Sequence, residues 1–171
     1  MAPTSARKAD HFGVNKMTNL VLELSQGEFM VVNGAPIRFR TKARIELAGH
    51  ARFLFGKQIM GPDQADSPAR RIYFALQTSY IGTDDERPAG LAQARELINE
   101  FQATTTSALA REILDRALEA AVADDCYRAL KLVRRIMRHE DAVLGRPSAL
   151  QSAVPTTVPG FVPAEETRVP A

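Results

Sequence analysis

The chain cannot close an internal disulfide, because Cys126 is its only cysteine. A lone cysteine suits a reducing cytoplasm. Cys126 falls where a helix is expected to start, and a packed, inert thiol is the simpler reading there. No apolar run approaches the roughly 20 residues needed to span a bilayer, and the N-terminus lacks the apolar stretch of a secretory signal. Three histidines, His11, His50 and His139, are scattered and share no zinc-ligand spacing with Cys126. A phosphate-cradling Gly-x-x-x-x-Gly-Lys-Ser/Thr loop is missing, as is a Gly-x-Ser-x-Gly elbow. The acids Asp84, Asp85 and Glu86 sit in a turn-rich stretch and read as charges at the start of a helix, not as acid–base machinery. These absences leave no catalytic residue, no metal ligand and no cofactor to assign. A deep pocket with convergent titratable groups would point instead to an enzyme with an unfamiliar site.

What is present is an ordinary globular composition with an uneven charge distribution. A chain of 171 residues suits one domain with its own core. The net charge of +2 conceals a basic front, an acidic middle and a basic last helix. Through residue 60, nine Lys or Arg face four Asp or Glu; from Gly82 to Asp124 the balance reverses to four against nine. Such polarity either orients an anionic partner or lets the segments dock on one another.

The patterning predicts an α+β fold. Residues 1–16 have no periodicity and read as a flexible arm. Residues 148–171 repeat proline at Pro155, Pro159, Pro163 and Pro170, and read as an extended or disordered tail. Between them lies one unit, 17–147. Over 17–60 the apolar period is two: Leu20, Leu22 and Leu24 alternate with Val21 and Glu23, and Ile37 and Phe39 with Arg38 and Arg40. Asn33-Gly34 signals a hairpin, with Pro36 expected to lengthen its loop. This part reads as a small antiparallel β meander with one half-buried face. Its other face carries Arg38, Arg40 and either Lys42 or Arg44. Over 61–147 the period becomes helical, and about four helices are expected. Ser67-Pro68 caps the first, which runs to about Tyr80. Leu91, Ala94, Ile98 and Phe101 mark the second, after a connection from Gly82 to Pro88. The third follows caps in Thr104 to Ser107. Asp124 or Asp125 caps the fourth.

The fourth helix is the most informative. On a helical wheel Ala129, Leu130, Leu132, Val133, Ile136 and Met137 share one side. Arg128, Lys131, Arg134, Arg135 and Arg138 share the opposite arc, with Tyr127 among them. An arc of this kind serves either as a solvated exterior or as an array of charges and guanidinium forks for phosphates or carboxylates. The first helix adds Arg70 and Arg71 in its first turn, an unfavourable place for cations beside the positive end of the helix dipole. An acidic residue of the fold or an anionic ligand would use them.

Pro68-Ala-Arg-Arg-Ile-Tyr-Phe-Ala75 and Ala129-Leu-Lys-Leu-Val-Arg-Arg135, closed by Glu140-Asp141 and Val143-Leu144-Gly145, resemble the FlbT family of flagellar-biosynthesis regulators. Ala51-Arg-Phe-Leu54, Ile59-Met60 and the Gly27-Glu28 … Asn33-Gly34 hairpin resemble it too, so the likeness covers about residues 19–145. It points to Met17 as an alternative start. It implies action after transcription on flagellin expression, through association with the 5′ untranslated leader of flagellin mRNA. In some bacteria this represses translation and promotes message decay; in others the effect is activating. It implies neither catalysis nor a cofactor. The RNA-binding residues expected on our own reading are Arg38, Arg40, Arg44, Arg70, Arg71, Arg128, Lys131, Arg134, Arg135 and Arg138. No GXXG loop or RNA-recognition aromatic motif accompanies them. The alternative is an adaptor that binds flagellin or another flagellar regulatory or secretion protein through its amphipathic helices.

Overall fold

The structure, a computed structural model, describes residues 20–146. The expected arm 1–16, the tail 148–171 and the limits of the unit at 17 and 147 lie outside the described residues. Five strands come first: β1 (Leu20–Leu24), β2 (Phe29–Val32), β3 (Ala35–Arg38), β4 (Ala43–Leu47) and β5 (Phe53–Phe55). Four helices follow: α1 (Pro68–Ile81), α2 (Glu86–Thr104), α3 (Ala108–Val122) and α4 (Cys126–Leu144). The α+β arrangement is the expected one.

The strands form two antiparallel sheets, β1-β4 and β3-β2-β5. Asn33 and Gly34 close the β2–β3 hairpin with φ of 48° and 83°, the left-handed pair that a two-residue turn requires. Pro36 does not lengthen the loop. It pairs with Val31 inside β3, which is an edge strand, and at this register its nitrogen points away from β2, so no ladder hydrogen bond is lost. The turn at Gln26-Gly27 closes no hairpin, because β1 leaves to pair with β4 from Leu20↔Leu47 to Leu24↔Ala43.

β2 is buried on both faces, not one. Phe29 and Val31 enter the main core with the helices. Met30, between them, joins Leu22 and Leu24 in a second, smaller core. Arg38 pairs with Phe29 and Ile37 with Met30, so Arg38 and Ile37 face opposite ways as the alternation required. The strand ends at Arg38, and Arg40 stands beyond it in a bend.

α1 is the centre of the helical layer, with Ala69, Ile72, Tyr73, Ala75 and Leu76 fully buried. Gln77, also fully buried, receives the Met60 N–H on Oε1 at 2.7 Å and donates from Nε2 to the Met60 carbonyl at 2.8 Å, tying the preceding loop to the helix. α2 begins at Glu86, before Pro88, because proline in a first turn forfeits an amide that has no helical partner. Thr83 and Glu86 exchange side chain–backbone hydrogen bonds there, in the capping-box pattern. Asp84, fully exposed, pairs with Arg87. Ser107 caps α3, and a tight reversal through Asp124, at φ 65°, sends α4 back along it. Leu130, Val133 and Met137 share the main core with Ile113, Leu114 and Ala117.

Candidate nucleic-acid interface

α4 is set by its two ends and one apolar stripe. Asp125 accepts the Arg128 N–H at 3.4 Å, and Gly145 at φ 64° terminates the helix. Cys126, Ala129, Leu130, Val133, Ile136, Met137 and Asp141 are buried, and Leu132 is half-buried. That fixes the rotation of the helix and turns Arg128, Lys131, Arg135 and Arg138 to solvent. Their spacing of three, four and three residues places them in one row, about 15 Å long at 1.5 Å per residue.

None of these four forms an ion pair among the described residues. Like charges one turn apart cost a helix a few tenths of a kcal/mol per pair. The row therefore opposes helix formation slightly and would be relieved by bound anions. Lys131 holds its ammonium 4.6 Å from the centre of the Tyr127 ring, which orders it without neutralising it.

Arg134 differs from its neighbours. It is half-buried between α4 and α1, with Nη2 donating to Tyr73 Oη at 2.8 Å and its guanidinium stacked 5.4 Å from the Tyr73 ring centre. Tyr73 Oη in turn donates to the Gln58 carbonyl at 2.6 Å. Burial pushes the Tyr73 phenol up, against the nearby Arg134 charge. Arg134 flanks the row and anchors it to α1.

Arg70 leaves the expected surface altogether. It is 4% exposed, with Nη2 2.7 Å from Asp141 Oδ1 and Glu140 and Asp66 within 4.0 Å. The cation in the first turn of α1 is held by acids from the far end of α4, because the two helices run antiparallel. Ser67 Oγ donates to Glu140 at the same junction. Arg71, next in sequence, is exposed and forms no ion pair among the described residues. On the strand unit Arg38 stacks over Phe29 at 5.6 Å. No hydrogen bond, ion pair or ring contact joins Arg38 or Arg44 to α4 among the described residues. Arg40 and Arg44 are exposed. The structure thus lines up Arg128, Lys131, Arg135 and Arg138 on α4 and places Arg38 and Arg44 on β3 and β4.

Composition and periodicity gave no sign of one further feature. A cavity of about 410 Å³ opens at the N-terminal end of α4, lined by Asn33, His50, Arg52, Tyr80, Asp124 and Tyr127 among others. Arg52 grips Asp124 with both Nη atoms, at 3.0 and 2.6 Å. That hydrogen bond holds the Asp124 carboxyl below its ordinary range and the Arg52 guanidinium above its own. Among the described residues no three metal-ligating side chains gather, and no helix is long and apolar enough to cross a membrane.

Comparison with known proteins gives one consistent result. The family model for the flagellar protein FlbT matches residues 20–144. A probable flagellum biosynthesis repressor protein FlbT of Mesorhizobium japonicum is 34% identical over 133 residues, 75% of this chain and 88% of its own. The flagellum biosynthesis repressor protein FlbT of Caulobacter vibrioides is 32% identical over 137 residues, 78% of this chain and 95% of its own. A probable repressor of the same name from Brucella ovis is 30% identical over 131 residues, 77% of this chain and 86% of its own. No solved structure matches.

Proposed function

This chain belongs to the FlbT family, and on that premise we propose that it regulates flagellum biosynthesis by binding the leader of flagellin mRNA. The relatives are named as repressors of flagellum biosynthesis, which supports repression as the direction; repressed translation or message decay is the form proposed for it. Arg128, Lys131, Arg135 and Arg138 contact successive phosphates, with Arg134 holding the row against α1. Arg38, Arg40, Arg44 and Arg71 are assigned as subsidiary contacts, and Arg70 has no direct part. The single observation that carries this reading is the row of four exposed cations on one helix that form no ion pair among the described residues. Phosphate neutralisation is what such a row does best. No step of this function calls for catalysis, a metal or a cofactor. Leu109, Val143 and Leu144 are exposed at the same end of the antiparallel α3–α4 pair and are the side chains an adaptor would use; the longer cationic row is what favours RNA. The test is titration of the full chain with a labelled flagellin leader and a scrambled leader at several salt concentrations. Tighter binding to the leader, falling linearly in log affinity with log salt, is expected. Absence of binding to either RNA rejects the reading.

A further inference from the structure

We propose that the cavity at the start of α4 is a nucleobase pocket, which receives one unstacked base of the RNA while the adjacent row holds its phosphates. The proposal rests on the RNA-binding reading above and adds a site to it.

Three observations carry it. The first is shape. The cavity, at about 410 Å³, is framed by three segments distant in sequence: the hairpin turn at Asn33, the loop from His50 to Arg52, and the α3–α4 reversal from Asp124 to Tyr127. Tyr80 of α1 adds to its wall, and the cavity stays open to solvent. Two of the three tyrosines of the chain therefore lie on its wall. Their ring centres are 6.1 Å apart at 43°, so they are tilted and not stacked face to face. Tyr127 is 36% exposed, enough to present its ring to a ligand. Base–aromatic stacking is a common way for proteins to hold splayed-out bases.

The second is charge. A phosphate pocket would carry a surplus of unpaired cations. This one does not. Arg52 is spent on Asp124, and Arg87 also reaches Asp124 at 3.7 Å. Asp125 adds a carboxylate that caps α4. One arginine and two aspartates line the cavity, so it has no cationic surplus for a phosphate and suits a neutral, polar, planar ligand. Asn33, His50 and Asp125 supply hydrogen-bonding groups for the rim of such a ligand. Burial pushes the Tyr80 phenol up, so its ring stays uncharged at neutral pH.

The third is continuity. Tyr127 is shared between the cavity and the cationic row, because Lys131 sits over its ring at 4.6 Å. Arg128 follows Tyr127 directly. A nucleotide whose base rests on Tyr127 places its phosphate beside Lys131 and Arg128, and the chain then continues toward Arg135 and Arg138. The cavity and the row form one track, neutral and aromatic at one end, cationic along the rest.

The experiment compares a labelled flagellin leader with an abasic phosphodiester of the same length, each against the full chain, Tyr127→Ala and Tyr127→Phe. Wild type should bind the leader more tightly than the abasic strand. Tyr127→Ala should weaken leader binding by about 5- to 150-fold, the range covered by one lost base–aromatic stack. It should weaken abasic binding much less, since the ring is lost from beside Lys131 but no charge is removed, and the salt slope should stay within error of wild type. Tyr127→Phe keeps the ring and should restore the leader. Equal weakening of leader and abasic strand, or no effect on either, overturns the pocket. Failure of the underlying reading looks different: wild type then binds neither strand. Should Tyr127→Ala unfold, Tyr127→Leu, which fills the space without an aromatic ring, serves instead, with the same two strands. A selective loss on the leader supports the pocket and an indifferent result rejects it.

Discussion

Arg70 Nη2 lies 2.7 Å from Asp141 Oδ1, and both side chains are nearly sealed from solvent, at 5% and 6% exposure. This pair joins the first turn of α1 to the last turns of α4. Arg70 Nη1 is buried there with no hydrogen-bond partner among the described residues, so the cation is held more by charge than by well-aimed bonds. Removing one partner should be costly, because the other is left as a buried, uncompensated charge.

Asp141→Ala should lose about 3–5 kcal/mol in chemical denaturation. Glu140, already within reach of Nη1, sets the lower end of that range by taking over part of the charge. The double variant Arg70→Met with Asp141→Leu removes both charges and should recover most of the loss. A single variant as stable as wild type would show that the pair does not hold the helices together.

Gly90 marks the crossing of α2 over α1. A Cβ there would meet Ser79 N at 2.7 Å and Ala75 O at 2.9 Å, both backbone atoms of α1. Alanine normally favours a helix interior over glycine by about 0.5–1 kcal/mol. Here the collision should win, and Gly90→Ala should be destabilising by about 1–3 kcal/mol. A stabilised variant in thermal or denaturant melts would mean that the helices lie farther apart.

The strand and helix units also meet at Arg52 and Asp124. The hydrogen bond from Arg52 depresses the Asp124 pKa, with the charges of Arg52 and Arg87 adding to it. A carboxyl with a depressed folded pKa contributes stability above its unfolded pKa, about 3.9, and loses that contribution as pH falls through the folded value. Asp124→Asn should therefore be less stable than wild type at pH 7, by a small amount because Asp124 is 65% exposed. Well below the ordinary carboxylate range the two should melt alike. A difference that persists undiminished in acid would assign the effect to the side-chain amide and not to the ion pair.

The helices were legible from the sequence because their signals are local. Ser67, Ser107, Asp125 and Gly145 cap where capping chemistry puts them, and the apolar stripe of α4 gave its buried face nearly residue by residue. Pairing of the strands was not legible. A period of two tells which residues share a face, not which strand lies alongside, so nothing local sent β1 to β4. The candidate site divided in the same way. Arg70 and Arg71 are neighbours in one helical turn, and only the position of Asp141 decides which is buried. Arg134 and Arg135 separate likewise, because Tyr73 lies beside one and solvent beside the other. The cavity escaped entirely, since its walls come from four separate stretches of chain.

The α4 row is the centre of the functional account. Arg135 and Arg138 are exposed and form no ion pair among the described residues, so Arg135→Gln with Arg138→Gln should keep stability within about 0.5 kcal/mol. The decisive measurement is the affinity of this double variant for a labelled flagellin leader across a salt series, beside wild type. Binding should weaken for leader and scrambled RNA alike. The slope of log affinity against log salt should flatten by roughly 0.7 per lost single-strand phosphate contact, about 1.4 for the pair. A folded double variant with the affinity and slope of wild type would contradict the account.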